Sequence, residues 1–275
     1  MKHSIQQAIN DGELNERFWL YTNYHCNLAC QYCLTESSPK APSRLLPRDR
    51  AEQIVKEASE MGFREVGITG GEPMLLPWLP EAVTKMSDWL SVLVFSNGTL
   101  FTDAKCEQLK PWVGRPIAIQ ISLDHPTAIR NDAMRGEKNF ARVNKAIPKL
   151  IDMGLRVRVA STGTYTEQEE NALRQYVQSL GVPEADHVIR PVVERGRAQL
   201  ESLGQKVTLE QLPLELTISA DGAFASPFGP TVIGGQLQTD MLLSRTVLPL
   251  EKPVTHLLGI TSAMPEGYDA ATGIR

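Results

Sequence analysis

The sequence predicts an α/β fold, a partial, TIM-like (β/α)6 barrel with a small α/β C-terminal extension. Between residues 17 and 193, six short runs rich in Val, Ile and aromatic residues alternate with longer segments of helical period. Parallel strands connected by helices produce this alternation. The rhythm changes after Val193. We therefore expect a barrel core over 1–193, an extension over 194–248 and a C-terminal tail or lid over 249–275.

Six β/α units fall short of a full eight-stranded barrel, so the barrel is predicted to be partial. The predicted strands span residues 17–22, 65–69, 91–95, 116–123, 155–160 and 187–193. Apolar side chains at helical spacing, such as Ile54 and Met61, predict the helices between them. In the fifth helix, Thr166 and Glu169 have the spacing of a capping box. Pro148 is expected to kink the fourth helix.

The extension carries weaker signals. Asp221-Gly222, between β-rich runs at 214–219 and 223–226, predicts a β-hairpin. A short helix is expected over 236–244. From residue 249 onward the chain is rich in Gly, Ala, Thr and Pro and shows no periodicity, which is typical of a tail or lid.

Composition excludes several classes of protein. The chain has 275 residues, of which 42% are hydrophobic and 22% charged, as in an ordinary globular protein. Its net charge of -4 and the lack of a basic run argue against a nucleic-acid partner. No apolar run approaches the ~20 residues of a membrane helix, and the first residues have no signal-like apolar core. We expect a cytoplasmic protein with neither a nucleic-acid nor a membrane partner.

Three of the four cysteines lie within eight residues of one another. Cys26, Cys30 and Cys33 follow the first predicted strand, whereas Cys106 lies in a helical pattern and is expected to be a buried apolar side chain. A disulfide scaffold spreads its cysteines, so the cluster indicates a metal or iron–sulfur site. Three thiolates on a four-iron cubane leave one iron free for an exogenous molecule. The alternative is a structural zinc site with His25 or Cys106 as fourth ligand.

Further polar motifs follow the next three predicted strands. They are Gly70-Gly71-Glu72-Pro73 after the second strand, Ser96-Asn97 after the third and Ser122-Leu123-Asp124 after the fourth. Because the carboxyl ends of parallel strands share one edge, these motifs are expected beside the cysteines. With the three cysteines at CxxxCxxC spacing and Tyr32 directly before the last, the sequence resembles the radical S-adenosylmethionine (radical SAM) superfamily.

The resemblance implies two cofactors. The three cysteines are expected to hold a [4Fe-4S] cluster, and S-adenosyl-L-methionine (SAM) is expected to coordinate the open iron. The residues implied in SAM binding are Tyr32, Gly70, Gly71, Glu72, Ser96, Asn97, Ser122, Asp124 and Arg135. Oxygens around Glu72 can accept hydrogen bonds from the methionyl amine, and Tyr32 can present its ring to the adenine. Arg135 is a candidate partner for the cofactor carboxylate.

Substrate-binding residues are expected where the fifth and sixth strands end, because the active sites of barrel enzymes lie at the carboxyl ends of the strands. The catalytic candidates are Thr162, Arg190 and Glu194. Together with Arg195 and Arg197, the last two form a charged cluster that can clamp an anionic substrate. The alternative interpretation is a solvated loop with mutual ion pairs.

The C-terminal third resembles the SPASM and twitch extensions of radical SAM enzymes. Where those extensions place cluster cysteines, this chain reads Ser226-Pro227-Phe228, and no cysteine follows Cys106. The usual ligands of an auxiliary cluster are therefore missing from this sequence. This pattern favours a carbon–carbon or carbon–heteroatom transformation over dehydrogenation.

The function implied by the resemblance is reductive cleavage of SAM to a 5'-deoxyadenosyl radical that abstracts hydrogen from a small metabolite or a peptide. An external electron donor of the flavodoxin or ferredoxin type is expected. The alternative is a degenerate relative, or a zinc or iron–sulfur protein, that acts as a non-catalytic binding partner. The intact cysteines and Glu72 favour the enzyme.

Overall fold

The computed structural model describes residues 2–263 and contains one large sheet. Six parallel strands lie side by side in chain order. They are β1 (Arg17–Tyr21), β2 (Glu65–Thr69), β3 (Ser91–Ser96), β4 (Ile117–Ser122), β5 (Arg156–Thr162) and β6 (His187–Arg190). Their carboxyl ends share one edge, so the loops that carry the predicted motifs meet there.

Helices alternate with these strands, as the periodicity predicts. They are α1 (Lys2–Asn10), α2 (Arg48–Met61), α3 (Leu79–Met86), α4 (Asp103–Leu109), α5 (Ala128–Arg135), α6 (Asn139–Asp152), α7 (Glu167–Ser179), α8 (Arg197–Leu200) and α9 (Glu251–Thr261). The predicted capping box of Thr166 and Glu169 is present at the start of α7. Helix α6 continues through Pro148 to its end. Strand β6 ends at Arg190, before its predicted limit.

The two faces of the sheet are covered differently. Alternate strand residues face opposite sides of a sheet. Phe18 and Leu20 belong to the hydrophobic core that includes the helices. Trp19 points to the other side, where its ring centroid lies 5.0 Å from that of Phe95 on β3. Gly67 of β2 lies between these two strands, and a Cβ there would overlap the Trp19 ring, so glycine at this position lets the two rings meet across β2. The alternation of six parallel strands, in chain order, with helices confirms the predicted partial barrel.

The extension joins the same sheet on the far side of β1. Its strands are β7 (Thr217–Ser219), β8 (Gly222–Phe224), β9 (Val232–Ile233), β10 (Gln236–Leu237) and β11 (Leu242–Ser244). Strand β7 pairs in parallel with β1 and forms the predicted hairpin with β8. Strand β11 pairs with β8, whereas β9 and β10 make a separate two-stranded hairpin.

The helix predicted over 236–244 is wrong, because this segment contains β10 and β11. Gly234 and Gly235 precede it with φ values of 58° and 78°. Two successive residues at positive φ form the tight turn of a hairpin, which glycine adopts without a steric penalty. The turn therefore directs residue 236 back along β9 and into strand pairing.

The segment from residue 249 contains α9, although no periodicity was expected there. Val254 and Leu257 are buried in the core cluster that also contains Ile5 of α1, and the two helices pack together. Leu250, Val254, Leu257 and Leu258 contact the core at the i, i+4, i+7, i+8 spacing of an amphipathic helix, so the expectation of no periodicity was wrong. Residues 264–275, the rest of the predicted tail or lid, lie outside the described residues. None of the described helices is long and apolar enough to cross a membrane.

Candidate active site

The loop after β1, residues 23–38, holds three cysteines and is called the cysteine loop below. Cys26 is buried, while Cys30 and Cys33 are half-buried. All three line a cavity of about 290 Å³ at the carboxyl edge of the sheet, called the main cavity. Cys106 is buried in α4, where its thiol faces the Phe101 carbonyl. The structure thus groups three cysteines and separates the fourth, as predicted.

The surroundings of the thiols suit metal-bound thiolates. The backbone N–H of Leu28 lies 3.4 Å from the Cys26 sulfur, and that of Ser37 lies 3.2 Å from the Cys33 sulfur. Such donors stabilise the ionised form. Burial raises the pKa of Cys26 to about 12, and the nearby Glu72, Cys30 and Cys33 add to the rise. A positively charged partner is therefore needed to hold this thiolate at neutral pH.

The donor set and its surroundings fit a cluster with SAM. Among residues 2–263, no three His, Cys, Asp or Glu side chains are grouped to hold a single metal ion. A cubane differs from a single ion in that each thiolate binds its own iron. At the cavity, the buried Arg135 Nε has no hydrogen-bond partner in the part of the chain that the structure describes. An unpaired guanidinium N–H suits an anionic group of a bound molecule.

The glycines after β2 bring two loops into contact. The Gly71 N–H donates to the Asn23 carbonyl at 2.8 Å, and the Glu72 N–H donates to the His25 carbonyl at 3.0 Å. Gly70 has a φ of 141°, and a Cβ at either glycine would overlap backbone oxygen of the cysteine loop. The pair is therefore required by the close approach of the main chains as well as by any ligand.

The Glu72 carboxylate is fully buried between the loops after β2 and β3. It accepts hydrogen bonds from the Met74 N–H at 3.0 Å, the Ser96 hydroxyl at 3.0 Å and the Asn97 N–H at 2.7 Å. Burial raises the pKa of Glu72 to about 7, although these three donors oppose the rise. Glu72 is not among the residues that line the main cavity, whereas Gly70 and Gly71 are. In this conformation the carboxylate holds protein groups in place.

Asn97 links the loop after β3 to the cysteine loop. Its side-chain amide donates to the Asn27 side chain at 2.8 Å and lies 3.6 Å from the Cys26 sulfur. Ser96 and Asn97 both line the main cavity. The structure therefore brings the predicted residues of this loop to the predicted cysteines.

Tyr32, Asp124 and Arg135 form a buried network at the end of β4. The Tyr32 hydroxyl donates to the Asp124 carboxylate at 2.5 Å, and the Arg135 Nη1 lies 3.0 Å from the same oxygen. Arg135 also donates to the Tyr32 hydroxyl, and its guanidinium lies 5.7 Å from the Tyr32 ring centroid. Tyr32 and Arg135 line the main cavity with Ser122, whereas Asp124 lies behind them.

The charged cluster predicted after β6 does not form. Arg195 pairs with Asp240 at 3.0 Å, and Arg197 donates to the carbonyls of Cys30 and Ser37, the latter at 3.0 Å. Glu194 lies outside the residues that line the main cavity. Of the predicted substrate residues, the structure places Thr162 and Arg190 on the cavity wall.

The extension forms several hydrogen bonds with the cysteine loop. No local sequence signal indicates these contacts. Besides Arg197, the backbone N–H of Val232 donates to the Leu34 carbonyl at 3.0 Å. The Glu36 carboxylate accepts the backbone N–H groups of Gly234 and Gly235, each at 2.8 Å. Phe228 of the extension lines the main cavity. These partners lie 150 or more residues apart in the chain, so their contacts depend on the whole fold.

The fold and the site define a class of barrel proteins that hold an iron–sulfur cluster on a three-cysteine loop beside a ligand cavity. The sequence profile of the radical SAM superfamily matches residues 20–175, and the chain belongs to this superfamily. Membership implies a [4Fe-4S] cluster and SAM as cofactors, which confirms the cofactor prediction. The chain is a radical SAM enzyme by family.

Two curated relatives illustrate the range of the superfamily. The antilisterial bacteriocin subtilosin biosynthesis protein AlbA of Bacillus subtilis (strain 168) is 35% identical over 164 residues, covering 58% of this chain and 36% of AlbA. A probable GTP 3',8-cyclase of Methanococcus maripaludis (strain C5) is 26% identical over 208 residues, covering 74% and 66%. The match thus spans little more than a third of AlbA.

Among solved structures, the fold resembles native anSMEcpe with bound AdoMet and Cp18Cys peptide. The TM-score is 0.59 at 12% sequence identity, and the match covers 91% of this chain and 84% of that chain. At this identity the likeness concerns the fold alone. It extends over most of the chain, including the part after the predicted barrel core.

Proposed function

We propose that this protein cleaves SAM reductively at a single cluster and uses the product to start a radical transformation of a peptide or a small metabolite. When bound, the cluster and SAM supply a 5'-deoxyadenosyl radical, which abstracts hydrogen from the substrate. The observation that carries the proposal is the grouping of Cys26, Cys30 and Cys33 around the main cavity while Cys106 lies elsewhere.

The residues of this chain have distinct roles in the proposal. Cys26, Cys30 and Cys33 bind the cluster. The backbone of Gly70 and Gly71, with Ser96, Asn97, Ser122, Tyr32 and Arg135, forms the SAM-binding wall of the main cavity. Glu72 and Asp124 act as positioning residues, because their carboxylates bond to protein donors behind that wall.

Two kinds of substrate are supported by the relatives. AlbA is named for bacteriocin biosynthesis, and the anSMEcpe structure holds a peptide, which favours a peptide substrate. The GTP cyclase supports a small metabolite, and its alignment covers more of this chain. The lack of any cysteine after Cys106 supports a transformation that needs one cluster, with electrons from an external flavodoxin or ferredoxin.

The first experiment measures 5'-deoxyadenosine and methionine after anaerobic reconstitution with iron and sulfide, in the presence of dithionite and SAM. We expect about four irons per chain and formation of both products by the wild type. Cys30→Ala should lose iron and cleavage. Cys106→Ala is the matched control, since this thiol lies outside the cavity, and it should retain both.

Two outcomes would contradict the proposal. Zinc in place of iron in anaerobically isolated protein would support a structural metal site. A fully loaded cluster with no cleavage of SAM, with or without candidate peptides and nucleotides, would support a non-catalytic binding partner.

A further inference from the structure

Arg190 ends β6 at a junction between two cavities. It lines the main cavity together with Thr162, its partner in the register of β5 and β6. It also lines a second cavity of about 520 Å³, whose wall includes Tyr165, Gln205 and Glu170, the last of which is paired with Arg174 at 2.6 Å. A group bound at Arg190 can therefore have one end toward the cysteine loop and the other toward the second cavity.

The guanidinium of Arg190 has no partner within residues 2–263. Its Nε is buried and unbonded, and the side chain takes part in no ion pair. Arg135, Arg195 and Arg197 line or border the same region, and each of them bonds to a carboxylate or to backbone carbonyls. The side chain is half-buried, and only its Nε is enclosed. An enclosed N–H without an acceptor costs free energy, so this arginine at a cavity wall indicates a missing anionic partner.

Neighbouring positive charges make the unpaired charge of Arg190 still less favourable. Burial lowers the pKa of Arg190 to about 10, and Arg17 and Arg158 add to the effect. Glu215 is the nearby carboxylate that opposes it, but Glu215 already accepts hydrogen bonds from Trp19 and from Asn15. Arg190 remains charged at neutral pH without a carboxylate of its own.

The lining of the main cavity contains no carboxylate to supply the partner. Its two arginines are Arg135 and Arg190, and only Arg135 has an aspartate behind it. Within residues 2–263 the Thr162 hydroxyl has no hydrogen-bond partner, while its backbone N–H donates to Asp124 at 3.0 Å. The main chain of Thr162 is thus fixed, and its hydroxyl is available to a ligand beside Arg190.

We propose that Arg190 and the Thr162 hydroxyl bind an anionic oxygen group of the substrate, a carboxylate or a phosphate. This inference rests on the proposed function and names the chemical class that the site accepts. A guanidinium forms two parallel hydrogen bonds to such a group, which sets orientation as well as affinity. The anchored substrate places its reacting carbon in the main cavity and extends its remainder into the second one.

The test uses the reconstituted protein with SAM and two probes, acetate and inorganic phosphate, compared with chloride at equal ionic strength. Thermal unfolding is followed anaerobically. We expect one probe to raise the Tm of the wild type by about 2–4 °C through mass action. The effective probe distinguishes a carboxylate from a phosphate substrate.

Three variants distinguish anion binding at Arg190 from a change in the stability of the fold. Without probe, Arg190→Met should unfold at the same or a higher temperature, because it removes an unpaired, half-buried charge, and it should lose the response to the probe. Arg190→Lys should retain part of the response. Arg142→Met, on the exposed face of α6, should respond like the wild type.

Two results would overturn the inference: no stabilisation of the wild type by either probe, or equal stabilisation of Arg190→Met. Cleavage of SAM by the wild type is assayed in parallel. Cleavage without probe stabilisation rejects only the Arg190 site. Stabilisation without cleavage, with or without candidate peptides and nucleotides, keeps the anion site and rejects the proposed radical chemistry.

Discussion

The two walls of the main cavity differ in how their polar groups are bonded. On the wall formed by the cysteine loop and the loops after β2 and β3, Glu72 and Asn97 bond to neighbouring protein groups. On the opposite wall, formed by β5 and β6, Arg190 and the Thr162 hydroxyl have no partners in the described chain.

The difference matches the ligands that the two walls are proposed to bind. Cofactors are common to the whole superfamily, so their wall can be held rigidly before they bind. A substrate must enter and leave, and its contacts replace bonds that the protein does not make with itself. Substitutions on the first wall should therefore damage cofactor binding and folding, whereas those on the second should change ligand response.

Gly71→Ala is expected to have the largest effect of the substitutions on the first wall. Its new Cβ would overlap the His25 carbonyl, forcing apart the two loops that hold the cysteines. We expect a loss of about 2 kcal/mol in unfolding free energy and of most of the reconstituted iron. Urea unfolding and iron analysis measure both.

Gly259→Ala provides the control for that substitution. No atom lies within 4 Å of a Cβ at this position, and the residue lies within α9. The variant should keep its iron and gain up to about 1 kcal/mol. Normal iron loading of Gly71→Ala would show that the loop contact is not needed.

Glu72→Gln should have the next largest effect. The carboxylate accepts three hydrogen bonds, and an amide has one oxygen to offer them, so at least one buried donor loses its partner. We expect a loss of about 1–3 kcal/mol and weaker SAM binding, measured by urea unfolding and equilibrium binding. The exposed Glu81→Gln, which removes a solvent-screened ion pair with Arg48, should cost much less. Equal effects of the two variants would contradict the positioning role of Glu72.

Arg197→Met tests the hydrogen bonds that connect the extension to the cysteine loop. The variant loses the bonds to the Cys30 and Ser37 carbonyls, and a looser loop exposes the cluster. We expect about 1–2 kcal/mol lower stability and roughly tenfold faster loss of iron to a chelator. Arg142→Met serves as the exposed arginine control. An unchanged rate of iron loss would limit the role of Arg197 to packing.

His187 lies behind the β5–β6 wall and has the smallest effect near neutral pH. Its Nε2 lies 2.9 Å from the Ser161 hydroxyl, and burial lowers the pKa of His187 to about 4 from 6.5. Between these pH values the unfolded chain binds the extra proton, so stability falls as pH decreases from about 6.5 to about 4. His187→Gln should lose less stability over this range, measured by urea unfolding at a series of pH values. A parallel pH dependence of both proteins would exclude this histidine as a cause.

Most of the barrel was predictable because its signals are local. Each predicted strand of the core is present, and the capping box of Thr166 and Glu169 marks the start of α7. The errors lie in the extension. The segment 236–244 forms strands because of a glycine turn before it, and α9 is helical because Val254 and Leu257 pack against α1.

The candidate site was predictable to the level of residues but not of contacts. The sequence places Cys26, Cys30 and Cys33 on one loop, and the structure confirms that they share a cavity. The Glu72 carboxylate was expected near the cofactor amine, yet its bonds go to Ser96 and Asn97. The partners of the Glu72 carboxylate depend on how the loops after β2 and β3 pack together.

The sequence by itself determined the order of strands and helices, the spacing of the cysteines and the loops that carry polar residues, because these follow from short-range periodicity and turn chemistry. The tertiary structure alone decided which charges are paired. Arg190 and Arg197 are close in sequence, yet Arg197 reaches carbonyls of the cysteine loop while Arg190 faces a cavity. Hydrogen bonds between residues more than 150 positions apart form only when the whole fold has assembled.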